Sequence, residues 1–275
     1  MKNRKLKMSI SILLMLILLA ACATPATPTE PQTTETQAPL PATTEAVTET
    51  LAAPEGSPVA GGLCTNAYYP TRSGATWTYK STGGPGGEYS FTDTITAVRD
   101  DGFTLSTQIG ELTRTQEWTC TTEGLAALQL GGAPAAMLNS QNIQLNLDVN
   151  NATGVTFPSQ INVGDQWQQV LDVSGNVTVM NEEAEAAGTA QMNFSATGNE
   201  SVTVPAGTFD ALKVDVDVTL NVNASYEGIT LPVTFSGDYT YWFAEGVGWV
   251  KASGTGSVLG SSFSETTELQ SYNIP

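Results

Sequence analysis

The sequence predicts a mainly β protein, an antiparallel curved sheet arranged as a sandwich or half-barrel behind a signal peptide and a disordered stalk. Three observations carry that expectation. Apolar and polar side chains alternate at period two along many segments after residue 63, and Gly-rich turn signals separate those segments. Only Pro134 to Gln141 and Asn181 to Ala187 tolerate a helix. With so few helices to cover a large apolar face, the sheet has to fold over on itself.

The chain opens with Lys2, Arg4, Lys5 and Lys7, followed by a 14-residue run from Met8 to Ala21 that is apolar except for Ser9 and Ser11. That is the layout of a secretory signal peptide, and the run is short for a membrane span. It ends in Leu19-Ala20-Ala21-Cys22, which resembles the lipobox at which bacterial lipoproteins are acylated and cleaved. Residues 1–21 are therefore expected to be removed and Cys22 to carry the lipid. Two or three acyl chains, at ~0.8 kcal/mol per buried methylene, anchor firmly where a single chain does not. Cleavage after Ala23, giving a soluble secreted protein, is the alternative.

Residues 22–62 read as the lipidated cysteine and its stalk. The 40 positions from 23 to 62 hold ten Thr, seven Pro and five Glu, with no aromatic or basic residue, and cannot bury enough apolar surface to fold. Fully extended, such a tether reaches about 125 Å, and a flexible one averages about 35 Å. The Thr-Pro composition also resembles O-glycosylated stalks.

Residues 63–275 are expected to form one antiparallel β domain. The clearest strand sets Leu212, Val214, Val216, Val218, Leu220 and Val222 on one face, with Lys213, Asp215, Asp217, Thr219, Asn221 and Asn223 on the other. The alternation recurs at Tyr89, Phe91, Ile95 and Ala97; at Phe103, Leu105 and Ile109; at Ile143, Leu145, Leu147 and Val149; and at Leu171, Val173, Val177 and Val179. Arg99-Asp100-Asp101-Gly102 suits a tight hairpin, Gly83 to Gly87 a wider loop, and Glu245-Gly246 another turn. Two segments share a spacing, Pro70…Gly74-x-x-Trp77 and Pro158…Gly164-x-x-Trp167, each leading into a strand. They raise the question of an internal duplication.

Three segments carry a family resemblance: Gly74-x-x-Trp77-x-Tyr79, Val204-Pro205-Ala206-Gly207-Thr208-Phe209, and Tyr241-Trp242-Phe243-Ala244-x-Gly246-Val247-Gly248-Trp249-Val250. Across most of residues 65–255 the chain is similar to bacterial envelope proteins called TapB-like. The resemblance implies a β-rich, curved-sheet domain and no established activity, so it transfers no site residues.

Charge and residue types narrow the function. Loss of residues 1–21 removes four of the ten Lys+Arg and no acid, leaving 6 against 27 Asp+Glu and a formal charge of −21. With Arg72, Lys80, Arg99, Arg114, Lys213 and Lys251 scattered, nucleic acid is not an expected partner. There is no histidine, which removes His-based triads and imidazole zinc sites. Cys64 and Cys120, the cysteines left once Cys22 is acylated, are expected to pair in an oxidising compartment, Cys120 pointing inward with Trp118 and Leu112; two buried free thiols are the alternative. Asp100, Asp101, Asp215, Asp217, Glu182, Glu183 and Glu185 fall at turns, connections or polar strand faces, where solvation explains them. Calcium on acidic loops is a functional reading of the acid excess, but no EF-hand or Gly-Asp repeat is present, and no metal site or cofactor is expected.

The aromatic run near residue 240 is the best candidate site. Tyr239, Tyr241 and Phe243 project to one side and Trp242 to the other, as a central strand covered on both faces or as a platform lining a groove. Three functions stay open. The first is a surface-displayed, non-catalytic interaction module with a self-filled core, whose partner is an envelope protein, glycan or lipid. The second is a carrier of lipid or another hydrophobic ligand in a curved-sheet cavity, and the third a hydrolase using paired carboxylates. The expected location is the cell envelope, outside the cytoplasm, lipid-anchored at the outer face of the cytoplasmic membrane or at the outer membrane.

Overall fold

A computed structural model describes residues 62–84, 87–129, 143–179, 182–227, 229–258 and 260–275. The expected signal peptide, Cys22, the expected stalk up to residue 61 and the helix-tolerant stretch Pro134 to Gln141 lie outside these described residues.

Every regular element among them is a strand. Their order is β1 (Thr76–Gly83), β2 (Tyr89–Arg99), β3 (Gly102–Ile109), β4 (Leu112–Cys120), β5 (Gly124–Ala127), β6 (Ile143–Gly154), β7 (Phe157–Pro158), β8 (Gln166–Val179), β9 (Glu182–Val204), β10 (Gly207–Tyr226), β11 (Ile229–Ala244), β12 (Gly248–Val258) and β13 (Ser261–Asn273). All thirteen join in one antiparallel sheet, in the order β6-β8-β9-β10-β11-β12-β13-β1-β2-β3-β4-β5-β7. The sheet is an up-and-down meander except at its margins, where β6 pairs with β8 and β7 with β5, and its last strand pairs with its first, Thr76 opposite Asn273.

The sheet curls into a half-barrel until its margins meet. The margin strands β6 and β7 are joined by residues 155–156, and side chains sew that seam. Gln169 of β8, fully buried, donates through Nε2 to the Ala127 carbonyl of β5 at 2.9 Å and accepts from Thr156 Oγ1 at 2.7 Å. Trp167 Nε1 donates to the Thr156 carbonyl at 3.0 Å. Curvature comes with register shifts at Thr78/Tyr79, Ile95/Ala97, Val149/Asn151, Lys213/Val214 and Trp242/Phe243.

The alternating segments land as strands with their apolar side inward: Leu212, Val214, Val216, Leu220 and Val222 are buried and Asp217, Asn221 and Asn223 exposed. Of the helix-tolerant stretch Asn181 to Ala187, Asn181 lies outside the described residues and the rest does not form a helix. Its residues from Glu182 onward open β9 and pair with β8, so Glu182, Glu183 and Glu185 sit on a strand, not in a connection. The pull of a long β8 partner outweighs local helix tolerance.

Both G-x-x-W segments build the same device. Gly74 and Gly164 take left-handed backbone, φ 84° and 100°, inside a turn in which Arg72 O accepts from Ala75 N and Asn162 O from Asp165 N. Each glycine then donates to a strand residue, Gly74 N to Ile95 O and Gly164 N to Ala196 O, and that residue's N–H donates back to Ala75 O or Asp165 O. One position further on, Thr96 and Thr197 are each skipped in a bulge, and each hydroxyl reaches the carbonyl across it, Thr104 O at 3.4 Å and Lys213 O at 3.5 Å. β1–β2–β3 and β8–β9–β10 are thus two copies of one arrangement.

Cys64 is joined to Cys120 with Cα atoms 5.0 Å apart, both buried. Cys120 and Trp118 face inward as expected, whereas Leu112 is 47% exposed, because β4 is covered only toward its C-terminal end. Next to the disulfide, residues 65–75 lie across one end of the half-barrel. The Asn66 amide donates to the Pro158 carbonyl, Gly246 N donates to Ala67 O, and the Tyr69 ring packs on Trp118 and Phe157 with centroids 5.1 Å away.

Candidate functional site

The interior is not completely filled. One cluster of buried side chains, including Trp77, Tyr79, Phe91, Phe103, Trp118, Phe157, Val214 and Phe243, packs near the plugged end, and a second, including Leu171, Val173, Val177, Leu220, Val222, Val233 and Phe235, packs toward the opposite hairpins. Members of both line a semi-enclosed, mainly apolar cavity of about 240 Å³. A self-filled core was the expectation, on the argument that two facing sheets interdigitate. A single curled sheet does not bring opposite walls together everywhere, and small inward residues, Ala127, Ala190 and Ala252, keep this level open.

The aromatic run divides as the strand period requires. Tyr239, Tyr241 and Phe243 line the cavity, with Tyr241 against Phe243 at 5.9 Å and Trp249 at 5.8 Å. Trp242 does not belong to it. It stands on the outer face, its indole Nε1 donating to Glu200 Oε2 at 3.1 Å and Lys251 Nζ lying 5.8 Å from the ring. The proposed groove is interior, and Trp242 leaves the candidate set.

Polar groups in this wall were not singled out from sequence. Asp93 on β2 accepts from Thr107 Oγ1 at 2.5 Å, and burial lifts its carboxyl from 3.8 to about 6 against the opposing effect of that bond. Glu265 on β13, 5% exposed, accepts at Oε1 from Ser81 Oγ and, at 2.9 Å, from the Tyr89 hydroxyl, while Thr267 Oγ1 donates to Ser81 Oγ. The signal that could have found both acids is parity: Asp93 lies between Phe91 and Ile95, and Glu265 between Phe263 and Thr267, on the inward side of their strands. Burial, and after it neighbouring Tyr241 and the Glu265 charge, holds the Tyr239 phenol well above its ordinary value. Burial and then Glu265 do the same at Tyr241 and Tyr89.

The two acids cannot act as a pair. Across β1, Asp93 stands opposite Trp77 and Glu265 opposite Gly83, six residues on, about 20 Å along the strand. Paired-carboxylate hydrolysis needs about 5–9.5 Å. Among the described residues no three or more His, Cys, Asp or Glu are grouped to hold a metal ion, and no helix is long and apolar enough to cross a membrane.

Residues 115–255, 141 of the 275 positions, match the model of the DUF3108-like family. The chain belongs to that family. The DUF3108-like segment runs from within β4 to within β12 and overlaps the stretch that carries the TapB-like resemblance. It contains Gln169, Tyr239, Tyr241 and Phe243, whereas both interior acids, Asp93 and Glu265, lie outside it.

Solved structures similar to the chain include a candidate exported protein with a YmcC-like fold from Bacteroides fragilis, 14% identical, TM-score 0.45, covering 76% of this chain and 100% of that one. A second is a candidate lipoprotein from Parabacteroides distasonis, 16% identical, TM-score 0.41, covering 76% and 99%. A third is the hypothetical lipoprotein YmcC from Escherichia coli, 11% identical, TM-score 0.35, covering 73% and 85%. No curated protein matches the chain.

Proposed function

We propose that the protein is an envelope lipoprotein, anchored through Cys22 and displayed on its stalk, that holds a hydrophobic small molecule inside its curled sheet. The cavity of about 240 Å³ carries this reading. It exceeds the ~150 Å³ apolar void that suffices for benzene in an engineered protein, and its lining of Leu171, Val216, Leu220, Phe235 and Phe243, interrupted by a few polar groups, has the character of a ligand site. Binding without turnover fits the separation of its two acids. The location outside the cytoplasm, and the TapB-like affinity within the wider family, rest on the lipobox and on the quoted motifs.

The test is saturable uptake of a polarity-sensitive fluorescent probe by the mature chain, residues 22–275, carrying Cys22→Ala so that its own acyl chains cannot compete. Ala252→Phe and Ala190→Leu, which push bulk into the cavity, are expected to weaken uptake about tenfold or more. Trp242→Ala, on the outer face, should leave it unchanged. Uptake insensitive to both cavity substitutions would overturn the reading.

A further inference from the structure

Tyr239, Gly254 and Glu265 are cross-strand partners at one level of β11, β12 and β13. The Tyr239 ring lies across the bare backbone of Gly254, where a Cβ would come within 2.5 Å of ring carbon Cδ1, and is also held by Gly237, where a Cβ would come within 2.5 Å of Cε2. The Tyr239 hydroxyl is buried and has no hydrogen-bond partner. A buried phenol without a partner is costly, and in native proteins such a group calls for a specific explanation.

Glu265 supplies the second half. Ser81 and Tyr89 both donate to Oε1 of this cavity-lining carboxyl. Among the described residues no Lys or Arg lines the cavity. A carboxyl group in an apolar enclosure is stabilised by a donor or a cation, and neither comes from the protein beyond those two hydroxyls. A second carboxyl, Asp93, faces the same space, so an anionic guest would meet like charge or the cost of protonating it.

Building on the hydrophobic-ligand reading, we propose that this level of the cavity is a head-group subsite. It takes an apolar molecule ending in a hydrogen-bond-donating head, a cationic amine foremost, which donates to Glu265 and is met by the Tyr239 hydroxyl. Fatty acids and other anionic amphiphiles are selected against.

Competition for the bound fluorescent probe tests it, using dodecylamine, dodecanol and laurate on the mature Cys22→Ala chain at pH 7.5, each below its micelle concentration. Dodecylamine should compete about tenfold or more better than laurate, with dodecanol between them. Glu265→Gln should bring the amine close to the alcohol, and Tyr239→Phe, which needs no refolding of the carboxylate network, should weaken amine and alcohol together. Asp217→Asn, an exposed acid on the outer face, should leave the ranking intact. Laurate competing as well as the amine would overturn the subsite while leaving hydrophobic binding standing. So would an Asp217→Asn effect as large as that of Glu265→Gln, which would assign the preference to general surface charge. Failure of all three to displace a probe that Ala252→Phe also fails to exclude would remove both proposals.

Discussion

Burial of Asp93 gives the protein a pH-dependent stability of definite sign. Its carboxyl, lifted from 3.8 to about 6, keeps a proton in the folded state that the unfolded chain has already released across that interval. Folding is therefore disfavoured progressively as pH rises through that window, and the loss levels off above it. A shift of about two units corresponds to about 3 kcal/mol. Asp93→Asn keeps an acceptor for Thr107 and removes the charge, so it should raise stability at pH 7.5 by up to about 3 kcal/mol and flatten the decline from pH 4. Urea unfolding at the two pH values checks this, and an unchanged slope would show that the carboxyl is solvated within the cavity. Asp93, Glu265 and Gln169 share one lesson at this scale. Each occupies an apolar-parity position in its strand, so the sequence marks them as inward-facing, but which cavity or seam they serve depends on strands far away in the chain.

Among the elements, β4 is tied to the segment before β1 by the Cys64–Cys120 bond, which spans 56 residues of chain. The entropy model gives about 4 kcal/mol for closing such a loop. Reduction, or the double variant Cys64→Ala/Cys120→Ala, should lower the thermal midpoint by on the order of 10 °C. Equal midpoints with and without reductant, or two alkylatable thiols in the exported protein, would contradict it. The strands themselves were largely readable, because period-two alternation in β2, β3, β8 and β10 reports a half-buried sheet directly. Glu182 to Ala187 departs from its helix tolerance for the converse reason: a Glu-Ala-rich stretch suits a helix locally, and pairing with β8, and from Glu185 onward with β10, makes it a strand. The G-x-x-W spacing was too short a motif to decide duplication. The left-handed glycines, returning hydrogen bonds and following bulged threonines that the two segments share are tertiary facts.

For the whole molecule, the anchor and the interior are separate questions with separate measurements. In the native host, Cys22→Ala should leave the protein unprocessed or release it from the membrane fraction; normal cleavage with full membrane retention would remove the lipoprotein assignment. The sequence by itself determined the β class, the inward and outward faces of most strands and the pairing partners open to the cysteines. All of these follow from local periodicity, residue chemistry or order along the chain. The tertiary structure alone decided that the sheet is one curled layer closed by Gln169 and Thr156, that Trp242 stands outside while Tyr239 and Tyr241 face in, and that a cavity survives between two packed clusters. The physical reason is that alternation fixes which side of a strand a residue takes. How far that side lies from the opposite wall depends on curvature, bulges and the size of residues many strands away.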